Sequence, residues 1–325
     1  MTPVLNAVPL VEFGSPVTMA FRGRQVPAFS DPASGYVFFD PPPEEELTEY
    51  YQVEYPRSQT GYYTVDTDYE PSKNDYHAGR ILRAFQDLTG REPASSFELG
   101  CAYGGLVAEM ASRGIDARGS DINADAVAQG TLAKGNHRIF HAANRDALDR
   151  VGASFDLIYS VHTLEHDPQM FDVIRACRDK LNEDGLLFVA VPNAMFANAV
   201  LKGFRENWWA HYPQHLHMLS PGFIPALCRA TGFAPLFWDT QIVFEAQPDV
   251  LGLLNKDETT DARRDLWRML LSQGGHGMEL NFVLAPAGGA MARRLAGTVA
   301  MVEGALEHAR RNEARLRHYL RLIRR

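Results

Sequence analysis

Phe97-Glu98-Leu99-Gly100-Cys101-Ala102-Tyr103-Gly104-Gly105 reads as the end of a strand, a glycine turn and the opening of a helix, and Asp121 closes the segment ARGSD 21 residues after Gly100. Glycines at such a turn let the backbone approach a ligand closely, and an acidic residue ending the next strand can accept both hydroxyls of a ribose. A nicotinamide or flavin site would use GxGxxG to hold a pyrophosphate. Here the middle position is Ala102, the spacing is GxxxG and Glu98 stands in front. A carboxylate beside the turn suits a ligand bearing an ammonium group better than one bearing phosphates, so an NAD-dependent oxidoreductase is an alternative rather than the first reading.

Outward from this turn, residues 78–285 alternate helical and strand-like segments: ILRAFQDL, SFELG, LVAEMASRG, DARGSD, ADAVAQGTLAKG, RIFHA, FDLIYSV, MFDVIRACRDKL, LLFVAVPN. Short apolar runs, each followed by enough chain for a crossover helix, predict an α/β, doubly wound parallel sheet covered on both faces, with its ligands at the carboxyl ends of the strands. Beyond LLFVAVPN come the helix FIPALCRAT, strand-like APLFWD, a helical insert at about 249–275 and a last strand MELNFVLA. Residues 1–77 read as an irregular N-terminal cap or lid, with a helix start at Pro43 followed by Glu44, Glu45 and Glu46. Seven tyrosines (50, 51, 55, 62, 63, 69, 76) crowd its second half and are suited to line a pocket. Residues 286–325 read as a long C-terminal helix. Its seam of Leu295, Val299, Val302, Leu306, Ala309, Leu316, Leu320 and Ile323, broken only by Glu313, suits a coiled-coil contact with a second copy of the chain. Seven arginines near its end offer a basic face.

Composition sets the outer bounds. The 325 residues are 46% hydrophobic and 22% charged, which is ordinary globular usage. With 32 Lys+Arg against 40 Asp+Glu the net charge is −8, so no cationic field gathers nucleic acid. Cys101, Cys177 and Cys228 form no CxxC pair, and neither a disulfide framework nor a zinc site is expected. The opening MTPVLNAVPLVEF lacks the basic residues of a signal peptide, and Pro192-Asn193 interrupts the longest apolar stretch, Leu186 to Leu201. The expectation is a cytoplasmic protein without a membrane span.

ELGCAYG, then GSD, FDLIYSVHTLEH and LNEDGLLFVAVPN, over about residues 78–240, resemble a class I S-adenosylmethionine-dependent methyltransferase, most closely the small-molecule branch of quinone-pathway and sugar-tailoring enzymes. The resemblance implies a Rossmann-like, mostly parallel seven-stranded sheet and S-adenosylmethionine as cofactor. Glu98, Gly100, Cys101 and Gly104 would surround its methionine part, Asp121 would hold the ribose, Ile122 would pack on the adenine, and Val161 would close the cofactor site from the fourth strand. Where the family has an acidic residue after the third strand, this chain has Asn144 and Arg145, with Asp146 as rival.

The fourth strand runs into Ser160-Val161-His162-Thr163-Leu164-Glu165-His166 at the sheet edge where the methyl group should lie, and histidine suits general-base work near neutral pH. In quinone-pathway relatives a similar LEH segment is associated with a divalent cation, with acidic residues at the positions of His162 and Glu165. His162 removes one carboxylate from that set, so no metal is assigned. HxxEH also spells an inverted zinc-protease motif, which needs a helix rather than a strand end. A second cluster, Trp208-Trp209-Ala210-His211-Tyr212-Pro213-Gln214-His215-Leu216-His217, resembles the segment that borders the family's acceptor pocket. Its rings would stack on a sugar or aromatic acceptor. The candidate base is His166, with His215 next, His162 in the same set and His217 a further option. The reading is methyl transfer to an oxygen of a small or sugar-linked acceptor, against a non-catalytic, scaffolding relative.

Overall fold

In the computed structural model, which describes residues 7–12, 15–55, 64–196, 211–241, 275 and 277–323, the apolar runs of the central zone become seven strands. They are β1 (Ser95–Leu99), β2 (Asp116–Asp121), β3 (Ile139–His141), β4 (Phe155–Val161), β5 (Leu181–Pro192), β6 (Phe233–Gln241) and β7 (Glu279–Pro286). Their order across the sheet is β6-β7-β5-β4-β1-β2-β3. The first five pair in parallel, β7 runs antiparallel to β5, and β6 antiparallel to β7. Helices α1 (Pro71–Thr89), α2 (Gly105–Ser112), α3 (Ala124–Lys134), α4 (Asn144–Arg150), α5 (Met170–Asp179) and α6 (Ile224–Thr231) cover it.

Both faces of the sheet are buried, which is why its strands read as unbroken apolar runs. In β5, Leu187, Val189 and Val191 join one core and Leu186, Phe188 and Ala190 the other; in β4, Phe155 and Ile158 part from Leu157 and Tyr159 in the same way. The alternation turns β1, β2 and β4 so that their carboxyl ends carry Glu98, Asp121 and His162 to a single edge.

Two expectations change here. The boundary drawn at residue 78 falls inside α1, which starts at Pro71 because Glu70 caps it by accepting the Lys73 amide at 2.6 Å. The N-terminal segment is also more regular than an irregular cap: Arg24–Ser30 pairs antiparallel with Val8–Pro9, Thr18–Phe21 and Val37–Phe39, and His217–Met218 adds to the last of these. A piece of the second histidine cluster thus belongs to the cap's sheet. The insert at 249–275 and Trp208 and Trp209 lie outside the described residues, Gly275 excepted.

The terminal helix, α7 (Ala296–Ile323), explains its own seam. Val302 and Leu306 are buried in the core of their own domain, and Leu295 and Val299 pack against the opposite core. Glu313, the apparent interruption, accepts hydrogen bonds from Ser220 Oγ at 3.0 Å and the Gly222 amide at 2.9 Å. The repeat from residue 295 to 306 that suggested a second copy is therefore a docking face for the chain's own domain. Replacing Glu313 by alanine leaves the buried Gly222 amide without an acceptor and is expected to lower unfolding stability by about 1–3 kcal/mol, measurable as a shifted urea midpoint. Among the described residues no helix is long and apolar enough to cross a membrane.

Candidate active site

After β1 the chain turns through Gly100 (φ +71°), Ala102 (φ +48°) and Gly104 (φ +87°) into α2. A Cβ on Gly100 would lie 2.2 Å from Thr163 Oγ1, so only glycine lets this turn and the loop after β4 close on one another. The amides of Gly100 and Cys101 both donate to the Ser120 carbonyl at 2.9 Å, and the Cys101 side chain is buried beneath the turn. Asp121 accepts the Ala102 amide at 2.8 Å on one carboxylate oxygen and the Asn123 amide at 2.7 Å on the other. Each oxygen keeps a further lone pair for a ribose hydroxyl. The adjacent Ile122 is 44% exposed, an apolar side chain at a strand end with room to cover a ring.

Glu98 sits behind the turn, 5% exposed, with the Tyr159 hydroxyl donating to it at 3.4 Å. Burial, and then the charge of Asp68, hold its pKa well above the carboxylate range. Asp68 ends the short helix Val65–Asp68 and accepts the Gly105 amide at 2.7 Å, capping α2 from the cap segment. Burial raises its pKa too, against that hydrogen bond. Lys73 Nζ stands 3.9 Å from Asp68 Oδ1, and a ligand's ammonium group would add further positive charge to these two buried carboxylates beside one turn.

The loop leaving β4 separates its histidines sharply. His162 adopts φ +53°, with Nε2 2.8 Å from Glu279 Oε2 on β7 and Nδ1 3.6 Å from Glu165 Oε1. Glu279 also holds the Arg80 guanidinium of α1 in an ion pair. Burial opposes charge on His162, but its carboxylate partners prevail and raise its pKa to about 9. With a carboxylate facing each ring nitrogen, His162 is placed as an ion-pair partner rather than as a free proton acceptor, which sets it apart from the other candidates. His217 is excluded: its Nδ1 lies 2.5 Å from the Tyr36 hydroxyl and its Nε2 2.9 Å from the Asp167 carbonyl, and burial pulls its pKa down to about 4.

His166 is placed differently. Its Nδ1 lies 2.5 Å from the Gln214 carbonyl, which can only accept, so Nδ1 carries a proton. That Nε2 is 3.5 Å from Glu165 Oε1, and the buried His215 ring lies 4.7 Å from the His166 ring. The Tyr51 hydroxyl donates to the same Gln214 carbonyl at 3.0 Å, and the Tyr51 ring meets His166 edge to face at 6.2 Å. The Tyr55 ring lies 5.5 Å from that of Tyr51, and burial, then Tyr50, Glu165 and Asp121, push its hydroxyl well above its ordinary pKa.

A family model described as a methyltransferase domain matches residues 73–236, half of the chain. The chain belongs to the methyltransferase-domain family. Members take their methyl group from S-adenosylmethionine, which removes the nicotinamide reading. A ubiquinone biosynthesis O-methyltransferase of Sinorhizobium medicae (strain WSM419) is 27% identical over 166 residues, covering 49% of this chain and 67% of the relative. One from Glaesserella parasuis serovar 5 (strain SH0165) is 32% identical over 104 residues, 30% of this chain and 44% of the relative. In fold, the chain resembles the plantazolicin methyltransferase BpumL in complex with a pentazolic desmethylPZN analog and SAH, with a TM-score of 0.50, 14% identity, and coverage of 75% of this chain and 98% of that one.

In this methyltransferase the residues present fit the cofactor. Glu98 with Asp68 would meet its ammonium, Gly100 and Gly104 would leave room for its methionine part, Asp121 would hold its ribose and Ile122 would cover its adenine, with Val161 at the end of β4. The adenine amino contact is where the fit thins. Asn144 donates to Asp167 Oδ2 at 2.8 Å and keeps only its amide carbonyl as an acceptor. Arg145 turns to Asp149 and the Asp172 carbonyl and does not reach the site, a correction, while Asp146 is exposed on α4.

A divalent cation fits less well. Glu165, His166 and His215 offer ligand atoms all within 4.8 Å of one another. That set holds one carboxylate and two imidazoles, which suits a hard, oxygen-preferring ion poorly. Asp68, Arg80 and Glu279 escaped sequence reading. Asp68 stands in the acidic run DTDYE, where nothing distinguishes it from Asp66, and the last two meet His162 only across the folded sheet.

Proposed function

We propose that this methyltransferase transfers a methyl group to a hydroxyl oxygen of a small acceptor, a phenol or a sugar-linked ring, bound between Tyr51, Tyr55 and the His166–His215 pair. The supporting observation is the Gln214 carbonyl, which holds the His166 Nδ1 proton and leaves proton exchange to Nε2 beside Glu165. When bound, S-adenosylmethionine supplies an electrophilic methyl on its sulfonium. The chain's own residues then orient, exclude water and take the acceptor proton at His166 Nε2. Tyr51, bonded to the same carbonyl, gives the cap its role as a lid. The three free, buried cysteines fit a reducing cytoplasm.

The test is release of S-adenosylhomocysteine with 3,4-dihydroxybenzoate and with a methyl hexoside as acceptors. Methylation of a hydroxyl supports the reading. Cofactor binding without turnover on any acceptor favours the scaffolding alternative, and methylation of an amine or a carbon overturns the oxygen assignment. Asp121→Ala is expected to weaken S-adenosylmethionine binding by about 1.5–3 kcal/mol in calorimetry, since charge-assisted bonds to the ribose are lost.

A further inference from the structure

We propose that Asp167, on the loop after β4, is a positioning residue for the cofactor's adenine: it holds the Asn144 amide nitrogen and so fixes the Asn144 carbonyl as the acceptor of the adenine amino group. The inference goes beyond the reading of the acceptor and does not depend on which side chain takes its proton. Its starting point is the position after β3 where the resemblance expects an acidic residue and this chain carries a neutral amide. A carboxylate there would only accept. A free amide can turn either end to a ligand, one accepting and the other donating.

The surroundings remove that freedom. Asn144 opens α4 just after β3, and the loop between them is fastened to the strand end that carries the ribose and adenine candidates. The Ala142 amide donates to the Asp121 carbonyl at 3.0 Å, and His141 Nε2 lies 3.1 Å from the Ile122 carbonyl. On its other side, Asn144 Nδ2 donates to Asp167 Oδ2 at 2.8 Å. The second carboxylate oxygen, Oδ1, accepts the Gln169 amide at 2.8 Å. The Asp167 main-chain carbonyl accepts the Met170 amide at 3.0 Å and faces His217 Nε2 at 2.9 Å, and His217 is tied in turn to Tyr36 of the cap. Asp167 is therefore held through both side chain and main chain, and it presents an acceptor to Asn144. Only the nitrogen end of an amide can answer an acceptor, so the carbonyl is the end left for a ligand. The carboxylate expected after β3 thus stands one residue further out, on the neighbouring loop, and a charge-assisted hydrogen bond links it to Asn144. An adenine amino group donates to such a carbonyl, whereas a 6-oxo purine would set oxygen against oxygen.

Calorimetry at pH 8 with S-adenosylhomocysteine and S-inosylhomocysteine, whose purines carry an amino and an oxo group respectively, tests this without turnover. Wild type is expected to bind the adenosyl compound about 10–100-fold more tightly. In Asp167→Asn the new side-chain oxygen keeps the Gln169 amide and the new nitrogen faces Asn144, whose amide then turns over and offers its own nitrogen to the purine. The preference should fall to parity or reverse in favour of the inosyl compound. Asn144→Ala removes the acceptor without touching the loop and should also bring the two ligands to parity. The exchange of Asn144→Asp together with Asp167→Asn keeps the hydrogen bond with donor and acceptor swapped, and should restore the wild-type preference. Each ratio compares two ligands on one protein, so a reduced folded fraction weakens both alike and cancels. A wild type that binds both equally overturns the proposal, as does the wild-type ratio in Asp167→Asn or in Asn144→Ala. So does an exchanged pair no more selective than Asp167→Asn alone, because a packing role would not follow the polarity of the pair; should Asp167→Asn not fold, Asn144→Ala decides. Selective binding by a wild type that methylates no hydroxyl sinks the oxygen assignment and leaves this inference standing, whereas hydroxyl methylation with unselective binding sinks the inference alone.

Discussion

His166→Ala is expected to lower turnover by about 10²–10⁴-fold, the contribution of a positioned general base, with S-adenosylmethionine affinity changed by less than about 1 kcal/mol. The separation follows from geometry. The cofactor residues Glu98, Gly100 and Asp121 lie at the ends of β1 and β2 and in the turn between them, whereas His166 is held from the other side by the Gln214 carbonyl. Steady-state kinetics at saturating cofactor, paired with calorimetry, checks both halves. Turnover retained in His166→Ala and lost in His215→Ala would move the base to His215. If neither substitution mattered, deprotonation would not limit the rate and catalysis would rest on positioning.

The second large effect concerns stability. Glu279 is 1% exposed and holds Arg80 and His162 together across β7, α1 and the loop after β4. Glu279→Gln leaves two cations without their shared counter-charge, and breaking a buried ionic group in this way costs about 3–5 kcal/mol. At about 2–4 °C per kcal/mol, the melting temperature should drop by roughly 6–20 °C. The pH dependence carries the sign. Burial disfavours the Glu279 carboxylate, but Arg80 and His162 outweigh it and its folded pKa lies far below the ordinary value. Its contribution is therefore present above the unfolded pKa of about 4.3 and lost as pH falls below it. His162 runs the other way: its pKa is raised to about 9, so its contribution is full below its unfolded value of about 6.5 and lost as pH rises through 9. Stability should thus be greatest between those limits in the wild type and flatter in Glu279→Gln. A variant whose melting temperature matches wild type at pH 5–6.5 would rule out this account of the network.

Much of this architecture is legible in the sequence because each strand is buried on both faces and so appears as a short, unbroken apolar run between glycine or acidic punctuation. The cofactor half of the site is legible for a related reason: Glu98, the turn glycines and Asp121 are local, at fixed offsets from strand ends. The catalytic half is not. His162, His166, His215 and His217 look alike in a string of letters, and three of them are told apart by contacts from residues 117, 48 and 181 positions away in the chain, those of His162, His166 and His217. Glu279 draws one histidine into an ion pair, the Gln214 carbonyl takes the Nδ1 proton of another, and Tyr36 uses up a third. The terminal seam misleads for the same reason, since spacing reveals an apolar stripe but not which surface covers it.

The shared partner of Tyr51 and His166 is a main-chain oxygen, and this has a consequence for how the protein tolerates change. Whatever side chain residue 214 bears, the carbonyl stays, so substitutions at that position should drift freely through descent while the device they belong to persists. An alanine scan would pass over it in silence. The vulnerable letters are instead those that set the path of the backbone around it, and an engineer wishing to detach the lid from the histidine would have to re-route the chain rather than exchange a residue.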